Sequence, residues 1–262
     1  TDSDEGEEKR VGKQLRGGWL VKLKKGLRRS MRRWFVVTPD RVEYYVAPNV
    51  GDVGLIAQFS IASIRGLRLG CRRGDKGDRG FEFRVYSVTF AKGNKVKGDV
   101  HYAVVGESDK DEEAWFTLLA ELMLGSCEVD SPSLCYIAER SHGKGHLEKA
   151  KKFYEEARAT MKKKRSDETP DYAKILNNLA VLAHHAGEYS AAEPLVNEAK
   201  EILKAACGPT DPDYARSLNI LATLYEAKGK YKDAEPLYKA ALNTWDELSM
   251  KNHVDYSTCL TN

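Results

Sequence analysis

The sequence predicts a multi-domain α+β chain. A small β-barrel or sandwich, capped by a C-terminal helix, comes first; an all-α solenoid of 42-residue helix pairs follows. Three observations predict this. Short apolar runs with alternating character, separated by Gly-, Pro- and Lys-rich turns, fill the stretch from Trp19 to Val105. The period then changes to that of a helix, with Ala114, Trp115, Leu118, Leu119, Leu122 and Met123 on one stripe. Beyond that stripe, Asp171-Tyr172-Ala173-Lys174-Ile175-Leu176-Asn177-Asn178-Leu179-Ala180 recurs 42 residues later as Asp213-Tyr214-Ala215-Arg216-Ser217-Leu218-Asn219-Ile220-Leu221-Ala222. A constant period in this range is the mark of stacked repeats.

The chain has 262 residues, and roughly 150 residues per domain gives about two domains. Hydrophobic content is 42%, charged content 31% and net charge +3. That balance suits folded cores under a well-solvated surface. The charge is uneven. From Arg16 to Arg33 there are eight basic residues and no acidic one, while Asp2, Asp4, Glu5, Glu7 and Glu8 crowd the N-terminus. The five cysteines form no Cys-x-x-Cys pair, so reduced thiols and a cytoplasmic setting are expected. No apolar run reaches about 18 residues, and no charged-then-apolar leader is present, so neither a membrane span nor a signal peptide is expected.

In order, residues 1–13 read as a disordered acidic tail, because they have almost nothing to bury. Trp19-Leu20-Val21 and Trp34-Phe35-Val36-Val37 read as the first two strands, and Thr38-Pro39-Asp40 as a turn. Arg41 to Ala47 is rich in β-branched and aromatic residues, as a third strand should be. A fourth strand falls within Leu55 to Ile64. Gly66 to Gly80 reads as a strand end and a mobile loop, Phe81 to Tyr86 as a half-buried strand, Lys92 to Asp99 as a turn, and His101 to Val105 as the last strand. Asp109 to Glu113 opens the following helix with acids, which favour a helix N-terminus.

The pattern Gly-Trp-Leu-x-Lys, a basic loop, and then Arg-Trp-Phe resembles the start of a pleckstrin-homology (PH) domain. Trp115 stands where that family carries a buried helical Trp. The resemblance covers about residues 14–124. It implies that the first two strands and their loop bind an inositol-phosphate headgroup. The family's Lys and Arg positions fall on Lys22 and Arg33; its third basic position is Met31 here. Lys24, Lys25, Arg28, Arg29 and Arg32 add charge, and Tyr44 or Tyr45 offers a third-strand hydroxyl. Arginine supplies paired donors and lysine a compact charge, which is what clustered phosphates need. Anionic lipid would also be attracted without stereospecificity, at about 1 kcal/mol per basic residue near the surface.

After a short linker at 125–132, which overlaps the first repeat, the repeats are expected at 129–170, 171–212 and 213–254, with a fourth starting at 255. Each unit reads as two helices broken by a glycine, Gly187 or Gly229. The order Gly229-Lys230-Tyr231, Ala234, Ala241 resembles tetratricopeptide repeats (TPRs). The longer period, the Leu-Asn-x-Leu-Ala core and Ala234 to Tyr238 are most similar to the repeats of kinesin light chain. The resemblance implies a concave groove that holds an extended peptide, with a link to cargo transport as its furthest extension. Asn177 and Asn219 would bond the peptide backbone, since an amide both donates and accepts. Inter-repeat packing is the other reading of the same two residues. Lys174, Val181 and His184 share the face of Asn177, and Arg216, Thr223 and Glu226 share that of Asn219. Lys174 and Arg216 would read acidic side chains. The incomplete fourth unit leaves an apolar end open to self-association.

No catalytic or metal-binding constellation stands out. His142 and His146 have ligand-like spacing but no carboxylate or thiolate arranged around them, and no phosphate-binding Gly-rich loop is present. No cofactor and no nucleic-acid partner are expected. The reading is therefore a non-catalytic, cytoplasmic, peripherally membrane-associated adaptor that binds phosphoinositide lipid through the basic loop and a peptide through the groove. The alternative is a scaffold that binds protein alone.

Overall fold

The computed structural model describes residues 15–23, 31–46, 48, 55–72, 79–90, 95–105, 107–124, 129–248 and 254–261. The acidic tail, the loop cations Lys24, Lys25, Arg28 and Arg29, and the first half of the expected linker (125–128) lie outside them. The chain divides into two compact units, Thr1–Ser133 and Leu134–Asn262.

The first unit is a β-sheet domain. Its strands are β1 (Arg16–Leu23), β2 (Met31–Val37), β3 (Arg41–Tyr45), β4 (Leu55–Ser60), β5 (Ile64–Arg72), β6 (Arg79–Phe90) and β7 (Lys95–Val105). They form one antiparallel sheet in the order β4-β3-β2-β1-β7-β6-β5. The turn at Thr38-Pro39-Asp40 is as expected. The Thr38 hydroxyl donates to Asp40 Oδ1 at 2.7 Å, and the Thr38 amide donates to the Arg41 carbonyl at 2.9 Å. One face of the sheet gathers rings around Tyr102. Phe83 stacks on it at 5.0 Å, Phe59 lies at 5.3 Å and Tyr44 at 5.9 Å, with Phe35 stacked on Tyr44 at 5.2 Å. Helix α1 (Asp109–Met123) follows, capped by the Ser108 hydroxyl, which accepts from the Asp111 amide at 3.2 Å. It buries Trp115, Phe116, Leu119 and Met123.

The expected closed barrel or two-layer sandwich is corrected: the strands make a single open sheet. A barrel needs every strand paired along both edges. Here β5 takes the edge of β6 from Arg79 to Val85, so β4 meets β6 only at Ala57–Phe90 and Gln58–Thr89. The far edge of β5 carries one bridge, from Leu67 to Val129. The strand end expected from Gly66 is β5 itself, which runs to Arg72, and residues 73–78, where the loop was expected, lie outside the described residues. Ile64 and Leu67 are both buried although they are three apart, which simple alternation forbids. A register shift between Arg65 and Leu67, with Gly66 at φ 76°, supplies the extra residue. The turn expected over Lys92–Asp99 is shorter: β7 begins at Lys95, and Lys95 to Lys97 pair with Thr89 to Ser87.

The second unit is a row of helices: α2 (Ser131–Gly143), which starts just before it, α3 (Leu147–Lys163), α4 (Pro170–His185), α5 (Tyr189–Ala206), α6 (Pro212–Ala227), α7 (Tyr231–Glu247) and α8 (Val254–Thr261). The 42-residue period is visible at each break. Thr169 and Asp211 cap α4 and α6, each followed by a proline at the first helical position. Gly145, Gly187 and Gly229 turn the chain between helices at φ 77°, 76° and 72°, a region that favours glycine. Fully buried Ala180, Ala192, Ala199 and Ala222 let neighbouring helices approach closely. Ala180, Val196, Leu221 and Leu224 share one core, and Ala222, Tyr238, Trp245 and Cys259 the next.

Candidate peptide groove and basic strand ends

Helices α4 and α6 lie side by side and are tied across their first halves. Lys174 Nζ reaches Asp213 Oδ2 at 3.2 Å, and this hydrogen bond holds the ammonium above the ordinary lysine range. Asn177 Nδ2 donates to Ser217 Oγ at 2.8 Å, and Ser217 Oγ donates to the Asp213 carbonyl at 3.2 Å. Arg216 Nη2 donates to Asn178 Oδ1 at 3.1 Å. Both cations expected to read acidic side chains therefore already hold partners within the chain.

Asn177 and Asn219 are buried, at 1% and 6% exposure. The Oδ1 atom of each has no hydrogen-bond donor among the described residues. Asn177 thus divides its roles: its amino group packs one repeat to the next, while its carbonyl is left with no donor. Val181 and His184 are half-buried on the same helix. Thr223 and Glu226 are held by Tyr238 of α7, whose hydroxyl donates to Glu226 Oε2 at 2.7 Å and lies 3.2 Å from Thr223 Oγ1. The predicted line is thus brought together on α4 and α6, and its polar ends are largely engaged. Sequence reasoning missed Ser217 and Asn178. The break of the repeat at Ile175 and Ser217 was the available signal.

In the first unit, β1 and β2 set Leu20 opposite Arg33, Val21 opposite Arg32 and Lys22 opposite Met31. Arg32 and Arg33 are consecutive on a strand, so they leave on opposite faces. Arg32 pairs with Glu107 and lies over the Trp19 ring, 4.5 Å from its centroid. Arg33 donates to the Arg32 carbonyl at 2.9 Å and to Met31 Sδ at 3.1 Å. Tyr44 is 2% exposed, and its hydroxyl is 3.4 Å from that of Tyr102. Burial raises the Tyr44 phenol above its ordinary range, against smaller opposing effects from the Tyr102 hydrogen bond and the Arg33 charge. Tyr44 is therefore part of the core, and the two arginines do not converge on one cup.

Among the described residues, no group of three or more His, Cys, Asp or Glu could hold a metal ion, and no helix is long and apolar enough to cross a membrane.

Residues 141–205 and 171–247 match the family model described as tetratricopeptide repeat. No curated protein matches the chain. Among solved structures, BtubC (BKLC) from P. vanneervenii is similar at 22% identity and a TM-score of 0.48, over 58% of this chain and 61% of that one. A Podospora anserina protein described as a kinesin light chain with nearly identical TPR-like repeats is similar at 17% identity and a TM-score of 0.43, over 57% of this chain and 75% of that one. The PH domain of Slm1, solved with inositol-4-phosphate, is similar at 16% identity and a TM-score of 0.33, over 42% of this chain and 96% of that one. The chain thus carries an N-terminal β-sheet domain followed by a TPR-like helical repeat region.

Proposed function

We propose that the chain is a non-catalytic interaction scaffold whose repeat region holds an extended peptide along α4 and α6. One observation carries this reading. Two buried carboxamide oxygens, Asn177 Oδ1 and Asn219 Oδ1, stand 42 residues apart at the same repeat position, each with no donor among the described residues. A buried acceptor left without a donor costs about 1–3 kcal/mol, so a peptide N–H laid across the helices would recover that cost. The two asparagines separate binding from packing. Asn219→Ala is expected to weaken a captured peptide by about 1–2 kcal/mol, near tenfold, and to leave the melting temperature unchanged. Asn177→Ala also removes the donor to Ser217, so it should lower stability by a similar ~1–2 kcal/mol. Equal affinity of the Asn219→Ala protein and the wild type, by titration calorimetry, would return both amides to a packing role.

A second reading, anionic lipid at the β1–β2 end, is favoured by Arg33. Its guanidinium meets a backbone carbonyl and a thioether and is paired with no carboxylate among the described residues. An unpaired cation at a strand end suits a phosphate. Co-sedimentation with vesicles containing phosphatidylserine or a phosphoinositide should fall in Arg33→Glu. Wild-type protein that stays in solution with every vesicle, at low salt as well as physiological salt, would remove the lipid reading.

A further inference from the structure

Helices α2 and α4 carry histidines at the same repeat position in their last turns, His142 and His184, and α4 adds His185. The third unit has Glu226 there instead. The rings form a chain. His142 stands edge-on to His185 at 5.9 Å between centroids, His185 edge-on to His184 at 5.8 Å, and His184 lies 5.5 Å from Tyr189 of α5. Three imidazoles from two successive helix pairs therefore meet at one end of the groove helices. The charges near them are mixed, with Arg140 in the same last turn as His142. Arg216 of α6 acts on His142 in the same sense as His185 does, and Glu226 of α6 opposes them at His184. Glu188, three residues past His185, is held by Lys151 of α3 at 3.4 Å.

We propose that His142 and His184, bridged by the ring of His185, form a proton-sensitive joint between the first and second helix pairs, closed while the imidazoles of His142 and His184 are neutral and loosened as those two charge. Positive charges in this space repel one another, and Glu226 is the carboxylate that acts on His184 among the described residues. Burial first, and then His185, hold the imidazoles of His142 and His184 below the ordinary histidine range in the folded chain; Arg216 adds to this at His142. The sign follows. The open form binds protons first, so the joint contributes in full above the unfolded-state histidine pKa of about 6.5. Its contribution is lost progressively as pH falls from there toward the lower folded-state values. The window lies where small changes of cellular pH act on histidine. This inference is independent of any peptide in the groove.

The test is amide hydrogen exchange on the full chain from about pH 7.5 to about pH 5.5, corrected for intrinsic rates and paired with a ring titration of the histidines by NMR. Acidification should strip protection from α2 and the last turns of α4 and leave α7 protected. The His142→Gln/His185→Gln protein should keep its protection across the same range. An unchanged α2 in the wild type, or an equal loss in the double variant, would overturn the proposal. Should the double variant fail to fold, the wild-type titration decides. Rings of His142 and His184 that titrate below the ordinary range support the joint. Rings that titrate independently at ordinary values remove it.

Discussion

Trp245→Ala is expected to destabilise the repeat region by about 3–5 kcal/mol, one of the two largest single-residue effects anticipated in this chain. Trp245 is 0% exposed and closes the core made with Ala215, Leu218, Tyr238 and Cys259. The same repeat position holds Met161 and then Leu203, both smaller, so the third unit depends on a large ring where the earlier units do not. Truncation leaves a cavity that helices fixed by Ala–Ala approaches cannot collapse to fill. The loss is read from denaturant unfolding, with exchange at the α6 and α7 amides assigning it to that end. Trp245→Phe, which keeps most of the packing, should cost less than the alanine variant. A loss below about 1 kcal/mol in Trp245→Ala would mean that the core is not shared between α7 and α8 as described.

Trp115→Ala should cost the β-sheet domain a similar ~3–5 kcal/mol. The indole is 0% exposed and lies against Gly18 of β1; a Cβ placed on Gly18 would come within 3.1 Å of its Cζ2. Arg16 reaches over the same ring, 4.9 Å from its centroid, and pairs with Asp111 in the first turn of α1. One side chain thus joins strand, helix and helix start. Gly18→Ala alone should cost roughly 1–3 kcal/mol by crowding the ring. The combination Trp115→Ala/Gly18→Ala should cost less than the sum, because the added methyl enters the space the indole vacates. Strict additivity in the double-mutant cycle would contradict the contact.

The repeat region was legible in the sequence because its period rests on residues with single jobs. Prolines open α4 and α6, glycines at positive φ end each first helix, and alanines sit where helices touch. The β-sheet domain was legible only where alternation holds. At β5 the bulge at Gly66 shifts the faces, so Ile64 and Leu67 read as irregular although both are core. The openness of the sheet was not legible either, since it depends on which strand claims the edge of β6, a choice between non-local partners. At the candidate sites the sequence identified residues and not their commitments. Tyr44 looked like a free hydroxyl, but its ring belongs to the cluster around Tyr102. Lys174 and Arg216 looked like free cations, but Asp213 and Asn178 hold them. The opposite directions of Arg32 and Arg33 follow from strand alternation alone and could have been read in advance.

The most direct test of the scaffold reading is selection of a random peptide library against the full chain, followed by hydrogen-exchange footprinting of the enriched peptides. Extended peptides that protect α4 and α6 and bind about tenfold more weakly to Asn219→Ala are expected. No enrichment, or a footprint away from α4 and α6 with Asn219→Ala binding as the wild type does, would contradict it.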